Sequence, residues 1–241
     1  MIDTHAHLSD RFKREVDLSH LDWVILSASS LVDSKDNLEL AKNNPKLLPA
    51  VGIHPMEKIT DIRATINELE KLITGEVVAI GECGLEFGDE VDKEKQVELF
   101  EQQIELSLKH KKPLIVHSRK ASDETIEILK KYKNLRGVIH CYTGGKKRIK
   151  GYLEISDEWY FGIDGNITYE IGLEEVVKEI PKNRLLAETD TPFLAPVPHR
   201  GETNQPEWVK YVYGKIAEIW GMRVEETEKI LDDNAKRLFG I

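Results

Sequence analysis

The stretch that decides the fold is the amino-terminal heptapeptide Met1-Ile2-Asp3-Thr4-His5-Ala6-His7. It has the pattern of a short apolar strand that ends in a His-x-His pair. Because side chains at positions i and i+2 of a strand point to the same face, His5 and His7 can reach one ion from one strand end. Neutral imidazole is a common ligand of zinc and other transition metals. A lone pair of this kind also arises by chance, so its meaning depends on how the other strands end.

Seven further runs rich in Val, Ile and Leu follow, separated by amphipathic stretches. The predicted strands cover residues 1–5, 23–29, 47–54, 77–82, 113–117, 137–140, 160–164 and 185–190. The predicted helices cover residues 34–43, 60–72, 93–109, 121–133, 146–155, 173–180, 206–220 and 224–239. This alternation indicates parallel βαβ units, and eight such strands predict a (β/α)8 TIM barrel with its active site at the carboxyl-terminal face. An open doubly wound sheet is the alternative, but no G-x-G-x-x-G motif follows an early strand.

The bulk properties are those of a globular protein, with 40% hydrophobic and 32% charged residues, and we expect one barrel domain over residues 1–241. The first predicted strand starts at Met1 and no apolar run approaches a membrane span, so we expect no signal peptide and a cytoplasmic location. The two cysteines, Cys83 and Cys141, fit that compartment. The net charge of −9 argues against a general nucleic-acid coat but leaves room for a local phosphate site.

Residues with ligand chemistry stand at the ends of six predicted strands. They are His5, His7, His54, Glu82, His117, His140 and Asp190. The carboxyl ends of barrel strands converge on one face, where barrel active sites lie. Any one of these histidines could be a hydrogen-bonded core residue, but their number favours a metal centre. Even with His54 set aside, four imidazoles and two carboxylates are too many for one four-coordinate ion, so the sequence predicts two ions bridged by Glu82, with a local charge of about +2.

Longer motifs, spread over the whole chain, resemble those of the TatD-type deoxyribonuclease family in the amidohydrolase superfamily. They are Asp3-Thr4-His5-Ala6-His7-Leu8, Gly52-Ile53-His54-Pro55, Gly81-Glu82-Cys83-Gly84-Leu85, His117-Ser118-Arg119, His140-Cys141-Tyr142-Thr143-Gly144, Glu188-Thr189-Asp190-Thr191-Pro192-Phe193-Leu194, His199-Arg200-Gly201 through Pro206, and Asn234-Ala235. Glu82 stands where the superfamily usually has a bridging carboxylated lysine. The family usually has Asp where this chain has Glu86, which leaves open whether that carboxylate places the substrate.

The resemblance implies metal-dependent hydrolysis of phosphodiester bonds, often by a DNA exonuclease, so that DNA or a nucleotide phosphodiester is the expected partner. It implies two divalent ions, of zinc, magnesium or manganese. One ion would be bound by His5, His7, Glu82 and Asp190, and the other by Glu82, His117 and His140. Water activated by the ions would be the nucleophile, and Asp190 would also accept its proton.

Other residues around the ions are expected to hold the substrate. By the resemblance, His54 would lie near the scissile phosphate as a hydrogen-bond donor or acid, with a turn residue before Pro55 as the alternative reading. Arg119, Arg200 and Asn204 could hold phosphate oxygens, since a guanidinium group is a planar fork that suits a phosphate.

Three further predictions concern residues beside the predicted ligands. The basic run at residues 146–150 lies at a predicted helix start, where cations oppose the helix dipole, so it hints at a nucleic-acid rim; a solvated surface run is the alternative. Glu188 should share the strand face of Asp190 one layer deeper, either as a partner of a ligand or as a catalytic residue. Cys83 and Cys141 should point away from the ligands they follow, as buried apolar filler.

Two alternatives to a nuclease remain open. Another metal hydrolase on this barrel could cut a small amide, lactone or phosphoester, because fold alone does not determine function. A non-catalytic binding module would have lost a ligand or Asp190, and the sequence retains all of them. No membrane association and no obligate protein partner is expected.

Overall fold

The structure is a computed structural model that describes residues 1–9 and 16–241. Within these residues eight parallel strands follow one another around a barrel in chain order. They are β1 (Ile2–Ala6), β2 (Trp23–Leu26), β3 (Leu47–Val51), β4 (Ala79–Glu86), β5 (Leu114–Arg119), β6 (Gly137–Ile139), β7 (Trp159–Ile163) and β8 (Leu185–Ala187). The barrel closes just beyond the end of β8, where Asp190 N donates to His5 O and His7 N donates to Thr191 O. The prediction of a (β/α)8 barrel is confirmed.

Helices surround the barrel in the alternation that the sequence predicts. Those that follow a strand are α1 (Leu31–Asn43), α2 (Ile62–Lys71), α3 (Lys93–His110), α4 (Ser122–Leu129), α5 (Lys146–Leu153) and α6 (Leu173–Glu179). After β8 come α7 (Val209–Trp220) and α8 (Val224–Phe239), and 3-10 turns cover Gly165–Thr168, Lys182–Arg184 and Pro206–Trp208. Each predicted helix overlaps an observed one. In the described part of the chain, no helix combines the length and the apolar character needed to cross a membrane.

The ends of the site-bearing strands differ from the prediction. Strands β3 and β8 stop before His54 and Asp190 are reached. Asp190 has a φ of 56°, so the backbone has left the extended conformation there, although Asp190 N still donates to His5 O of β1. Strands β4 and β5 run further than predicted because Glu86 and Arg119 still pair across their ladder. Most of the candidate residues therefore lie at the top of the barrel wall or in the first turn beyond it.

The lower layer of the barrel interior takes one apolar side chain from every strand. These residues are Ile2, Ile25, Ala50, Ala79, Ile115, Val138, Tyr160 and Leu186. Helix α8 covers this end of the barrel with Ala235, Leu238 and Phe239, and the amide of Asn234 donates to Leu185 O at 2.9 Å. The last helix therefore packs against the end of the barrel. The lower end of the barrel interior is thus a sealed, mainly apolar core, and the candidate functional residues lie at the opposite end.

A buried polar network anchors the start of β1 to α7 and α8. The Tyr213 hydroxyl lies 2.6 Å from Asp232 Oδ1 and 2.9 Å from Ile2 O. The Ile2 amide donates to the same hydroxyl at 3.1 Å and to Asp232 Oδ1 at 3.2 Å. The strand that carries His5 and His7 is thus held at its beginning by side chains from two helices.

We expect Tyr213→Phe to lower the free energy of unfolding by about 1–3 kcal/mol, because it leaves a buried carboxylate and a backbone group with one partner fewer. The measurement is urea unfolding of the metal-free protein followed by circular dichroism. Tyr132→Phe, at a half-buried tyrosine outside this network, should shift stability by less than about 0.5 kcal/mol. Equal effects of the two substitutions would contradict the anchoring role.

Candidate metal centre

The histidines of the amino-terminal motif converge as the strand geometry predicts. His5 and His7 are buried, and their Nε2 atoms lie 3.1 Å apart. Asp190 Oδ1 lies 3.5 Å from His5 Nε2 and 3.6 Å from His7 Nε2. Two ligand atoms of a tetrahedral ion with bonds of about 2.0–2.1 Å stand about 3.3–3.4 Å apart. These three side chains therefore have the mutual spacing of ligands around one ion.

Glu82 lies in β4 and faces two groups of histidines. Its Oε2 lies 3.5 Å from His5 Nε2 and 3.4 Å from His7 Nε2. Its Oε1 lies 2.8 Å from His117 Nδ1 and 2.9 Å from His140 Nε2. The rings of His5 and His140 stack with centroids 3.9 Å apart, so the two groups adjoin. One carboxylate thus separates two sets of imidazole nitrogens.

All six predicted ligands come together in the structure. Ligand atoms lie within 4.8 Å of one another in the groups His5, His7 and Asp190; His5, His140 and Glu188; and His54, Glu82 and His117. The structure thus places His54 beside Glu82, a neighbour that the predicted ligand sets did not include. A further acidic group, Asp22, Glu228 and Asp232, surrounds the Met1 ammonium at the sealed end of the barrel.

Charges in this cluster shift one another's pKa values. Burial opposes the ionised form of Glu82, but His140, His54 and His117 outweigh it and hold the pKa of that carboxyl well below its usual range. Burial likewise opposes a charge on His140, yet Glu82 and Glu188 raise its pKa well above the usual range. Burial lowers the pKa of His5, and the opposing effect of the Glu82 carboxylate is too small to reverse this shift. Without metal ions, the centre therefore balances Glu82 with protonated imidazole.

Glu188 lies beside His140 Nδ1, the ring nitrogen that does not face Glu82. Glu188 Oε1 accepts from Cys141 N at 2.6 Å and lies 3.3 Å from His140 Nδ1. The glutamate is fully buried, and a Cβ on Gly162 would lie 2.1 Å from its Oε2, so β7 needs glycine there to make room. A carboxylate behind a ligating histidine fixes the ring and its tautomer. Of the two roles predicted for Glu188, the geometry favours the partner of a ligand.

Asp3 is a supporting residue that the sequence reasoning missed. Its Oδ1 accepts from Thr189 N at 2.9 Å and from His5 N at 3.2 Å, and its Oδ2 accepts from Thr189 Oγ1 at 2.6 Å. It therefore joins β1 to the segment after β8 where the barrel closes. Burial raises the pKa of Asp3 well above its usual range. The signal in the sequence was an acidic residue inside an otherwise apolar strand, two positions before His5.

His54 occupies the turn that the sequence allowed as one reading and also lies beside a candidate ligand; its role at the scissile phosphate stays a prediction. It stands in a turn, since Glu57 N donates to its carbonyl oxygen, and its Nε2 lies 3.6 Å from Glu82 Oε1. Burial lowers the pKa of His54 to about 4, so the ring is neutral near pH 7. Because its Nδ1 accepts from Met56 N at 3.1 Å, the proton of the neutral ring is on Nε2, which faces the cavity.

The three predicted substrate contacts occupy different surroundings. Arg119 is exposed at the cavity wall, with a terminal nitrogen 2.8 Å from Glu86 Oε1. Arg200 packs over the Tyr169 ring, 3.8 Å from its centroid, and the described walls of the cavity do not include it. Asn204 has no exposed surface, and its amide donates to Thr189 O and Phe193 O, both at 2.7 Å. The structure gives Asn204 the role of bracing the loop after β8 instead of the predicted contact with phosphate.

The cysteines follow the prediction in one case only. Cys83 is fully buried in the core outside the barrel, as predicted. Cys141 lines the cavity and is half-buried, so its predicted role as filler among the helices is wrong. The chain leaves β6 at Ile139, and Cys141 adopts a φ of 46°. Alternation of side chains along a strand therefore no longer applies at this residue.

The basic run is largely engaged in surface ion pairs. Lys146 Nζ lies 2.8 Å from Glu179 Oε1, and Arg148 Nε lies 3.0 Å from Asp123 Oδ1. Lys150 Nζ lies 3.7 Å from Glu154 Oε1. This favours the solvated-surface alternative for most of the run, because exposed pairs of this kind are common and weak. Arg148 nevertheless also lines a groove that runs along the starts of α4 and α5.

The candidate ligands open into a cavity of about 430 Å³ that is lined by the upper parts of β4 and β5 and by the segments that follow β1, β2, β3, β6 and β8. It continues into a groove of about 910 Å³ along the starts of α4 and α5. Arg119 and Phe193 line both spaces, and Lys120 and Arg148 line the groove. The metal centre thus stands at one end of an open channel with cationic side chains in its wall.

Comparisons with known proteins agree with this arrangement. A family model described as TatD related DNase matches residues 2–240. The uncharacterized metal-dependent hydrolase YabD of Bacillus subtilis is 34% identical, over 100% of this chain and 99% of that protein. The Escherichia coli relative YcfH, also named an uncharacterized metal-dependent hydrolase, is 31% identical over 100% of this chain and 96% of its own.

Solved structures show the same fold. The crystal structure of YjjV, a TatD homolog from Escherichia coli, has a TM-score of 0.90 at 27% identity and covers 100% of this chain and 98% of that one. A TatD family hydrolase from Entamoeba histolytica has a TM-score of 0.84 at 23% identity, with 99% and 97% covered. The family match, the barrel and the converging ligands together show that this chain belongs to the TatD-related DNase family of metal-dependent hydrolases.

Proposed function

We propose that the protein hydrolyses phosphodiester bonds in DNA with the aid of two divalent metal ions. The observation that carries the proposal is that the two carboxylate oxygens of Glu82 face different pairs of histidines. Oε2 faces His5 and His7, and Oε1 faces His117 and His140. Two ions about 3.5–4 Å apart can share one carboxylate and can bind the attacking and leaving oxygens of a displacement. The cytoplasmic location expected from the sequence stays a prediction.

The donor set fits such ions. His5, His7 and Asp190 would hold one ion, His117 and His140 the other, and Glu82 would bridge them. Imidazole nitrogen suits zinc and other transition ions, whereas magnesium prefers an all-oxygen octahedral shell. The donor set therefore favours zinc over magnesium.

Residues of the chain supply the remaining functions. Divalent ions, when bound, lower the pKa of water and offset the charge on phosphoryl oxygens. Asp190 is only partly exposed at the cavity and can accept the proton of the attacking water. Neutral His54 presents its Nε2–H toward the scissile phosphate, and Arg119 offers nitrogen atoms of its guanidinium group that Glu86 does not occupy.

The groove supports a polymeric anion over a small neutral substrate. Its volume of about 910 Å³ exceeds what one phosphoester group fills. Arg119, Lys120 and Arg148 line it together with Asp123, Glu124 and Glu170, and Arg148 is paired with Asp123, so Arg119 and Lys120 are the cations proposed to contact phosphate. Phosphate contacts from such cations supply much of the affinity of nucleic-acid-binding proteins. A small amide, lactone or phosphoester would leave most of this channel unused.

The test is a substrate screen with the purified protein and added Zn²⁺, Mn²⁺ or Mg²⁺. Single- and double-stranded DNA labelled at either end would be compared with a small phosphodiester, a lactone and an amide. We expect metal-dependent shortening of DNA that EDTA abolishes. Turnover of a small substrate without cleavage of DNA would refute the nuclease proposal and support the alternative hydrolase.

Asp190→Asn should reduce kcat by about 10²–10⁴ or more at saturating metal, because the substitution keeps the size of the side chain but removes the base. Asn tolerates a φ of 56° as well as Asp does, so the fold should persist. A weaker grip on substrate would instead raise KM and spare kcat. The control is Asp157→Asn on the exposed surface. A loss below about tenfold would show that another residue handles the proton.

Metal binding should release protons and strengthen as pH rises. Despite burial, neighbouring carboxylates raise the pKa of His140, His117 and His7, so in the metal-free protein these rings keep their protons to higher pH than they would without those carboxylates. A ligating imidazole must lose that proton, so each bound ion displaces protons and acid competes with it. Calorimetric Zn²⁺ titrations in buffers of different ionisation enthalpy should show fewer protons released at pH 8 than at pH 6. Binding without any buffer dependence would contradict the shifted pKa values.

A further inference from the structure

Glu86 lies between a candidate metal ligand and a candidate phosphate contact. Its Oε2 lies 3.1 Å from His117 Nε2, and its Oε1 accepts from a terminal nitrogen of Arg119 at 2.8 Å. The carboxylate is mostly buried, while the Arg119 side chain is 67% exposed. Glu86 is therefore the one described side chain that contacts both residues.

The backbone fixes this position from two sides. Across the β4–β5 ladder, Gly84 stands opposite His117 and Glu86 opposite Arg119. Gly84 has a φ of 132°, and a Cβ there would lie 2.0 Å from His117 O, so only glycine permits the close approach of the strands. On the other side, Glu86 N donates to Gln96 Oε1 at 2.9 Å. The carboxylate is thus presented from a rigid element.

The contact with His117 decides which ring nitrogen is available to an ion. His117 Nδ1 points at Glu82 Oε1, 2.8 Å away, and the opposite nitrogen points at Glu86. If Nδ1 binds a metal ion, Nε2 must carry the proton and donate it. A carboxylate acceptor at that nitrogen fixes the tautomer and makes the ring a more basic ligand.

We infer that Glu86 is a positioning residue that orients His117 toward the metal centre and holds Arg119 at the cavity wall. This inference rests on the proposed metal-binding and phosphate-binding roles of those two residues. It assigns a function to the position where the family usually has Asp. An aspartate is one methylene shorter and would not span both partners from the same backbone position, whereas glutamate gives each of its oxygens to one of them.

The test measures Zn²⁺ affinity by competition with a chromophoric chelator, in the absence of substrate. The site in question is the one that His117→Ala abolishes. We expect Glu86→Gln to weaken that site by about 10–100-fold, the usual cost of removing a carboxylate behind a metal-binding histidine. The site of His5 and His7 should keep its affinity. Glu98→Gln, an equal loss of charge on the exposed face of α3, is the matched control.

Two further variants separate the two contacts. Arg119→Gln leaves the contact between Glu86 and His117 intact, so Zn²⁺ affinity should stay within about twofold of wild type while KM for DNA rises at saturating metal. Glu86→Asp should lose one of the two effects and retain part of the other. Glu86→Ala, which removes both contacts, serves as the test if circular dichroism shows that Glu86→Gln does not fold.

Unchanged Zn²⁺ affinity in a folded variant that lacks the Glu86 carboxylate would overturn the inference, as would a finding that His117→Ala removes no Zn²⁺ site. Weakened affinity confined to the His117-dependent site would establish it. The outcome is independent of the nuclease proposal, because no substrate enters the titration. A wild-type protein that binds Zn²⁺ as expected but leaves DNA intact would refute the proposed function and leave the role of Glu86 in metal binding standing.

Discussion

The ionised carboxylate of Glu82, buried near the centre of the barrel mouth, is the constraint around which the site is built. Burying a carboxylate is costly unless cations or hydrogen-bond donors surround it. Here imidazoles from β1, β5 and β6 approach both oxygens at 2.8–3.5 Å. In the metal-free protein the compensating charge is a proton on imidazole, most of all on His140, whose pKa is raised well above its usual range. Divalent ions would replace those protons, so the same geometry serves both states.

A second requirement follows, because histidine rings rotate unless their outer nitrogens are held. His140 is held by Glu188, His117 by Glu86, and the Ser27 hydroxyl lies 3.2 Å from His5 Nδ1. These supports come from three different parts of the barrel. They explain why the wall around the site is unusually polar for a buried region, and why the seam between β1 and β8 carries Asp3, fully buried, instead of an apolar residue.

The sequence predicts the barrel and the six candidate ligands because both depend on local pattern and residue type. The alternation of strands and helices can be recognised without knowing any tertiary contact. Repeated His, Glu and Asp residues at strand ends are seldom explained by anything other than a shared site. Asn204 could not be assigned in this way, since its burial depends on contacts with Thr189 and Phe193, which are distant in sequence. Cys141 was misplaced because the chain turns at a positive φ directly after β6, and no glycine marks that turn.

The two ends of the barrel divide stability and chemistry between them. At the amino-terminal end, one mainly hydrophobic residue from each strand packs under Phe239 and its neighbours on α8, and hydrogen bonds join Tyr213 and Asp232 beside this layer. At the carboxyl-terminal end, Glu82, Glu188 and Asp3 are all buried carboxylates, and each costs desolvation that its partners must offset. A cluster of this kind can persist only on a frame that is stable without it. The closed apolar layer below is that frame, and it lets the loops above keep a geometry suited to ions and phosphate instead of one suited to packing.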